Sequence, residues 1–181
     1  MTICLRHTTE DDLDFVMKIE QGRANRPFVM QWTRAQHKAS LSLEDKAHFV
    51  IETASERTRV GYLIVAGLTD ANKSIELKRL VITKKNRGYG RAALRVVKWL
   101  AFTEWGAHRL WLDVKEENFR ARHLYESEGF VVEGVMRESN KTEAGFESLV
   151  LMSMLQREYD NGGSRSMQIG EDQRNRLWQN T

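Results

Sequence analysis

The stretch "KKNRGYGRAALRVVKWLAF", Lys84 to Phe102, decides how the chain is read. Ala93, Val96, Val97 and Leu100 fall at i, i+3, i+4 and i+7, which puts one apolar stripe on a helix of about four turns. Gly88 and Gly90 stand at its opening, where the first N–H groups of a helix have no partner and the dipole is positive. Upstream, "SIELKRLVI" reads as a strand; downstream, "RLWLDV" reads as another. A strand, a helix and a strand in that order make a parallel crossover. Basic residues crowd the same region: from Lys78 to Lys98 there are eight Lys and Arg and no acid. A helix start of this kind suits a compact polyanion such as a diphosphate.

Outside this unit the pattern is mostly antiparallel. Residues 2–7 form a first short strand, and Thr9 with Asp12 offers a capping box for a helix to about Gln21. Thr33 caps a second helix to about Leu41. "HFVIETA" and "RVGYLIVAGL" form a hairpin, Asn118 caps a helix that runs through Glu128 to Gly129, and "FVVEGVMRES" pairs with "FESLVLMSML". The expected fold is α/β: a mixed, mostly antiparallel sheet of about seven strands, with strands 4 and 5 parallel, and about four helices. Residues 1–156 are expected to form one domain, and 157–181 a polar tail that docks on its own domain or a neighbour.

The chain has 181 residues, 41% of them hydrophobic, enough for one domain with a core. Its 28 bases and 25 acids leave a net charge of +3 and are interspersed along most of the sequence, so a nucleic-acid-binding surface is not indicated. No apolar run approaches the length that crosses a bilayer. The single cysteine, Cys4, excludes an intramolecular disulfide, and no Cys and His spacing fits a metal site. A cytoplasmic protein without metal or membrane partner is expected.

Three readings of the glycine turn compete. Glycine can serve backbone freedom alone. "GYGRAA" also satisfies Gly-x-Gly-x-x-Ala, and Asp113 closes the following strand where a ribose-binding acid belongs. Against that dinucleotide reading, the five residues "TKKNR" separate strand from glycine, and no second βαβ unit follows. The third reading is the diphosphate cradle. Nothing matches a nucleoside-triphosphatase loop.

On these residues the chain resembles the GNAT superfamily of N-acetyltransferases. Its motif of Gln or Arg, two residues, Gly, one residue, then Gly or Ala stands here as Lys85-Asn86-Arg87-Gly88-Tyr89-Gly90, with Lys85 departing from the first position. The second family segment is similar to "NFRARHLYESEGF", Asn118 to Phe130. The likeness covers about residues 2 to 155, and "IELKRLVI" with "EGVMRES" looks most like the ribosomal-protein alanine N-acetyltransferases.

The resemblance implies acetyl-coenzyme A as co-substrate, its diphosphate on the N–H groups of Arg87 to Arg91 and its pantetheine along Leu80, Val81 and Ile82, between two splayed strands. The Leu80 N–H would polarise the thioester carbonyl, and Asn118 would hold the pantetheine arm. Glu76 is the implied base. Tyr125 is the implied acid, since a phenol with a pKa near about 10 can protonate a thiolate whose conjugate acid lies near about 8.5 without itself being ionised. Phe28, Gln31 and Trp32 lie where relatives build the acceptor wall. The acceptor is expected to be a primary amine, a peptide or protein N-terminus ahead of a small polyamine or aminoglycoside, and a homodimer is possible. The competing class is a module that binds acyl-coenzyme A without turnover. Cys4 reads as a buried core residue and not as an acyl carrier, and the five histidines read as surface or packing residues.

Overall fold

The computed structural model describes residues 2–162. In chain order it contains β1 (Ile3–His7), a 3-10 turn (Glu10–Asp12) leading into α1 (Leu13–Glu20), α2 (Arg34–Ser40), β2 (Lys46–Thr53), β3 (Arg59–Ala66), β4 (Ser74–Ile82), α3 (Tyr89–Trp99), β5 (Arg109–Lys115), α4 (Phe119–Ser127), β6 (Val131–Thr142), β7 (Gly145–Leu155) and α5 (Gln156–Asn161). The seven strands form one sheet in the order β1-β2-β3-β4-β5-β7-β6. Its single parallel pair is β4 with β5, as the crossover reading requires. α3 continues into a wide turn at Leu100–Glu104, where the Trp105 N–H reaches back to Leu100 O at 2.9 Å.

Local chemistry explains the helix starts. The Thr9 N–H donates to Asp12 Oδ2 at 3.0 Å. At α2 the reciprocal pair is complete: the Gln36 N–H donates to Thr33 Oγ1 and the Thr33 N–H to Gln36 Oε1. β3 and β4 approach closely at Gly61, where a Cβ would stand 2.3 Å from Val81 O, so only glycine fits.

The decisive feature of the sheet is where β4 and β5 stop pairing. Their register runs Ser74↔Arg109, Ile75↔Leu110, Glu76↔Trp111 and goes no further. On the other edge of β4 the register with β3 passes from Ile64↔Arg79 to Val65↔Leu77, so Lys78 is an extra, unpaired residue. A bulge of this kind bends its strand. β4 bends away just where β5 continues straight, held along its far edge by β7 from Arg109↔Leu155 to Lys115↔Leu149. The result is a splay with no strand between.

One face of the sheet packs Ala93, Leu94 and Val97 of α3 and Leu100 of the turn after it against Leu110, Leu112 and Val114 of β5 and Met152 of β7. The other packs Val16 and Ile19 of α1 on Tyr62, Ile64 and Val81, with Val29 and Trp32 from the loop after α1. Beyond β7, Tyr159 of α5 stacks on Phe102 with ring centroids 4.9 Å apart. The expected domain boundary at 156 falls at the start of α5; the rest of the tail lies outside the described residues.

The acid-free basic stretch is not a free positive surface. Arg91, Arg95 and Lys98 lie on one face of α3, and all three converge on the Glu128 carboxylate at the end of α4, at 2.6, 3.0 and 2.9 Å. Burial would raise the Glu128 carboxyl, but hydrogen bonds from Arg95, Lys98 and Arg91 outweigh it and push the group down to about 2. This cluster fixes α3 against α4. A carboxyl depressed by folding stabilises above its unfolded value near about 4.3 and loses that contribution as pH falls towards the folded value. Chemical denaturation should therefore find Glu128→Gln about 2 kcal/mol less stable than the parent at pH 7, with the gap closing between about pH 4.5 and pH 2. A gap independent of pH would show that the ion cluster does not supply the stability.

Candidate active site

The α3 opening is built as an anion cradle. Gly88 sits at φ 75°, a left-handed conformation that glycine adopts without strain, and a Cβ there would meet nothing within 4 Å. The first hydrogen bond into the helix is Ala92 N–H to Gly88 O at 3.0 Å, which leaves the N–H groups of Tyr89, Gly90 and Arg91 without a helical partner. Of the eight bases around this turn, Lys78 pairs with Glu76, Arg79 with Glu20, and three with Glu128. Lys84, Lys85 and Arg87 remain without an ion pair among the described residues, and of these Lys85 is hydrogen-bonded to Asn25. Open amides beside two available cations fit a diphosphate.

Lys85, the departure from the family motif, does something else. Its ammonium donates to Asn25 Oδ1, and the Asn25 amide donates to Ile19 O at 2.9 Å and Ile82 O at 3.3 Å. Burial, with a contribution from Arg120, lowers the Lys85 pKa to about 8. The residue is a strut between the end of β4 and the loop after α1, although its side chain also borders the cavity.

From the cradle a cavity of about 430 Å³ runs into the splay. Leu80, Val81 and Ile82 border it, and because the side chains of Val81 and Ile82 are packed in the two cores, what they present is main chain. Beyond Glu76 that edge of β4 has no strand partner, so its amides and carbonyls can pair with an extended arm. Asn118 caps α4 through Oδ1, which accepts from the Ala121 N–H at 3.3 Å, and its amide nitrogen is left for a ligand.

Tyr125 stands on α4 with 9% of its surface exposed, at the cavity wall, and its hydroxyl makes no hydrogen bond among the described residues. Burial, with the charge of Asp113 adding to it, raises its pKa to about 12. The ordinary order of acid strengths, and the direction of this shift, work against the full proton transfer expected from the sequence. A phenol already weaker than a thiol, and weakened further by burial, would give up its proton to a thiolate only uphill. Tyr125 can donate a hydrogen bond that stabilises a departing thiolate while keeping its proton. Glu76 also borders the cavity, with its carboxylate held by Lys78 Nζ at 3.2 and 3.3 Å. Neither residue turns away from the channel, as a non-catalytic binder would have allowed.

The loop after α1 roofs the other end. The Lys115 ammonium donates to Pro27 O at 2.7 Å, tying the loop to β5 across the splay. Phe28 and Trp32 line the cavity; Gln31 does not, since its amide donates to Val29 O at 2.9 Å and Glu20 O at 3.4 Å. Trp32 lies over the Arg79 guanidinium, 4.5 Å from ring centroid to Cζ.

Behind this wall is a buried polar string that the sequence reading missed. Thr8 Oγ1 meets His48 Nδ1 at 2.8 Å, His48 Nε2 meets His37 Nδ1 at 3.2 Å, and His37 Nε2 lies 3.4 Å from Glu20 Oε1. The same Glu20 oxygen accepts from the Tyr62 hydroxyl and faces Arg79 Nε at 3.3 Å, while Oε2 accepts from the Trp32 N–H at 3.3 Å. Burial acts to raise the Glu20 carboxyl, yet His37, Tyr62 and Arg79 together hold it below its usual range. Burial and the neighbouring His37 and Arg79 charges push His48 down to about 3, so it stays neutral. These two histidines are network members and not simple packing residues. The available signal was a polar side chain inside each apolar run, His48 in "HFVIETA" and Tyr62 in "RVGYLIVAGL".

With this geometry in hand, residues 2–131 match the family described as the acetyltransferase (GNAT) domain. The chain belongs to the GNAT acetyltransferase family. It is thus an acetyltransferase with acetyl-coenzyme A as co-substrate, and neither the dinucleotide fold nor a purely structural glycine turn describes it. The spermidine N(1)-acetyltransferase of Vibrio cholerae is 25% identical over 170 residues, 88% of this chain and 96% of the relative. The Escherichia coli enzyme of the same name is 23% identical over 87% of this chain and 88% of its own length. Among solved structures, the Vibrio cholerae spermidine N-acetyltransferase in complex with CoA and spermine superposes with a TM-score of 0.78 at 23% identity, over 88% of this chain and 98% of that one. These relatives are polyamine acetyltransferases and lend no support to the finer likeness to ribosomal-protein alanine N-acetyltransferases.

Two substitutions separate cradle from chemistry. Gly88→Ala forces a side chain into the left-handed region at a cost of about 1 kcal/mol, and calorimetric titration should find acetyl-coenzyme A bound about tenfold more weakly. Tyr125→Phe should keep that affinity within about twofold and lower kcat about 10- to 100-fold. Full turnover by the phenylalanine variant would remove the hydroxyl from the reaction.

Proposed function

We propose that this enzyme transfers the acetyl group of acetyl-coenzyme A directly to a primary amine of a small, slender acceptor of the polyamine kind. The observation that carries the reading is the size and roof of the cavity. Some 430 Å³ must hold the pantetheine arm as well as the acceptor, and the loop strapped down at Pro27 and Asn25 narrows the acceptor end. A methylene chain can lie along Phe28, Val29, Met30 and Trp32, with its ammonium towards the carboxylates of Glu76 and Asp113. The spermidine acetyltransferases among its relatives favour the same class. This order reverses the sequence expectation, which put a peptide N-terminus first.

Direct transfer follows from the position of the only cysteine. Cys4 is buried at 2% exposure on β1 with Arg57 Nη1 2.9 Å from its sulfur, and it does not border the cavity. In the proposed assignment the α3 amides with Lys84 and Arg87 hold the diphosphate, the free edge of β4 and Asn118 hold the pantetheine, the Leu80 N–H faces the thioester oxygen, and Tyr125 faces the sulfur.

Self-association belongs to the same reading. β6, at the edge of the sheet, exposes Val131, Val132 and Val135, Phe146 of β7 is exposed further along the same hairpin, opposite Lys141, and a Vibrio cholerae relative has been described in dodecameric form. Sedimentation velocity should find a species larger than one chain, and Val135→Glu should shift it towards the monomer.

A thiol-release assay against spermidine, spermine, aminoglycosides and short peptides tests the acceptor. Polyamines should give a kcat/KM at least about tenfold above any peptide. Preference for peptides would overturn the acceptor class, and acetyl-coenzyme A binding with no acceptor-dependent release would leave the chain a binder.

A further inference from the structure

Among the described residues, the charged side chains that β4 and β5 place along the cavity are matched one by one, with a single exception. On β5, Leu110, Leu112 and Val114 point into the core under α3, so the alternate residues Trp111, Asp113 and Lys115 belong to the opposite face. β4 contributes Glu76, Lys78 and Arg79 to the cavity wall. Lys78 is held by Glu76 at 3.2 Å, Arg79 by Glu20 at 3.3 Å, and Lys115 by Glu147 at 2.6 Å. Asp113 borders the same cavity, and its carboxylate has neither an ion pair nor a hydrogen bond among the described residues. It stands two residues past the last β4 and β5 pair, Glu76↔Trp111, at the point where the channel opens.

We propose that Asp113, and not Glu76, receives the acceptor's ammonium group and takes its proton. The proposal rests on acetyl transfer to an amine and does not depend on which amine. Glu76 already has a cation at both oxygens, and an incoming ammonium would have to displace Lys78. Asp113 is open to the cavity, and a cation placed there completes the pairing of that face. Its charge also acts on the Tyr125 hydroxyl, which borders the same cavity. Asp113 is exposed to the open cavity, yet partial desolvation by its surroundings raises its carboxyl above its ordinary value while Lys78 and Arg79 pull it back, which leaves a stronger base than a free carboxylate.

The step balances as follows. Asp113 removes one proton from the ammonium, and the freed amine forms its C–N bond to the thioester carbonyl carbon as the C–S bond breaks. The second proton lost by nitrogen neutralises the thiolate through solvent, with Tyr125 hydrogen-bonded to sulfur meanwhile. Asp113 then returns its proton to solvent.

The test compares Asp113→Asn, Asp113→Ser and Glu76→Gln in thiol release from pH 6 to 10, using the amine that the parent enzyme acetylates fastest, so that rejection of polyamines as acceptors leaves this test intact. Both Asp113 variants should lose about 100-fold or more in kcat/KM at pH 7, with acetyl-coenzyme A affinity and melting temperature close to the parent. The deficit should shrink as pH approaches the amine's own pKa near about 10. Glu76→Gln should lower activity, because it releases Lys78 towards Asp113, yet keep the parent's pH profile. The proposal is overturned by Asp113 variants within about threefold of the parent, by a deficit constant with pH, or by loss of acetyl-coenzyme A binding in both variants.

Discussion

The site exists because two strands stop pairing. β4 and β5 share the register from Ser74↔Arg109 to Glu76↔Trp111, and then the bulge at Lys78 bends β4 while β7 keeps β5 in line. A parallel pair left open in this way exposes main-chain donors and acceptors that would be costly to bury unsatisfied. An extended arm carrying its own amides can satisfy them. In the proposed assignment, recognition of the cofactor's arm is thus a property of backbone, which is compatible with the side chains of Val81 and Ile82 remaining ordinary core.

Two buried carboxylates hold the surroundings of the gap. Glu128 gathers Arg91, Arg95 and Lys98 and so locks the helix that carries the anion cradle to the helix that carries Asn118 and Tyr125. On the opposite face Glu20 gathers Arg79, Tyr62, His37 and the Trp32 backbone, and so locks the acceptor loop to β4. Breaking a buried ion pair by removing one partner is costly, which makes each hub rigid. Between them the two ends of the cavity keep a fixed separation, the geometric condition that the proposed direct transfer needs.

Local patterns in the sequence were sufficient for the strands, the helices and the parallel crossover, because side-chain periodicity and capping residues act within a few positions of one another. The glycine turn was legible for the same reason: a left-handed residue at a helix start has a local signature. The acceptor site was not. Of the three residues named for an acceptor wall, Phe28 and Trp32 border the cavity, but Gln31 turns out to face backbone carbonyls. The string from Thr8 through His48 and His37 to Glu20 joins residues up to 40 positions apart in sequence. No periodicity records such a meeting.

What the sequence by itself determined is the order and type of the elements up to β7, the glycine-opened start of α3, and the presence of Tyr125 and Asn118 at one helix. Only the tertiary structure decided which charges are available. Eight bases in an acid-free stretch look alike in one dimension. Folding brings Glu20, Glu76 and Glu128 to five of them, Lys78, Arg79, Arg91, Arg95 and Lys98, ties Lys85 to Asn25, and leaves Lys84, Arg87 and the Asp113 carboxylate without an ion pair among the described residues. Coulomb pairing depends on distance in space, and that distance is set by the fold.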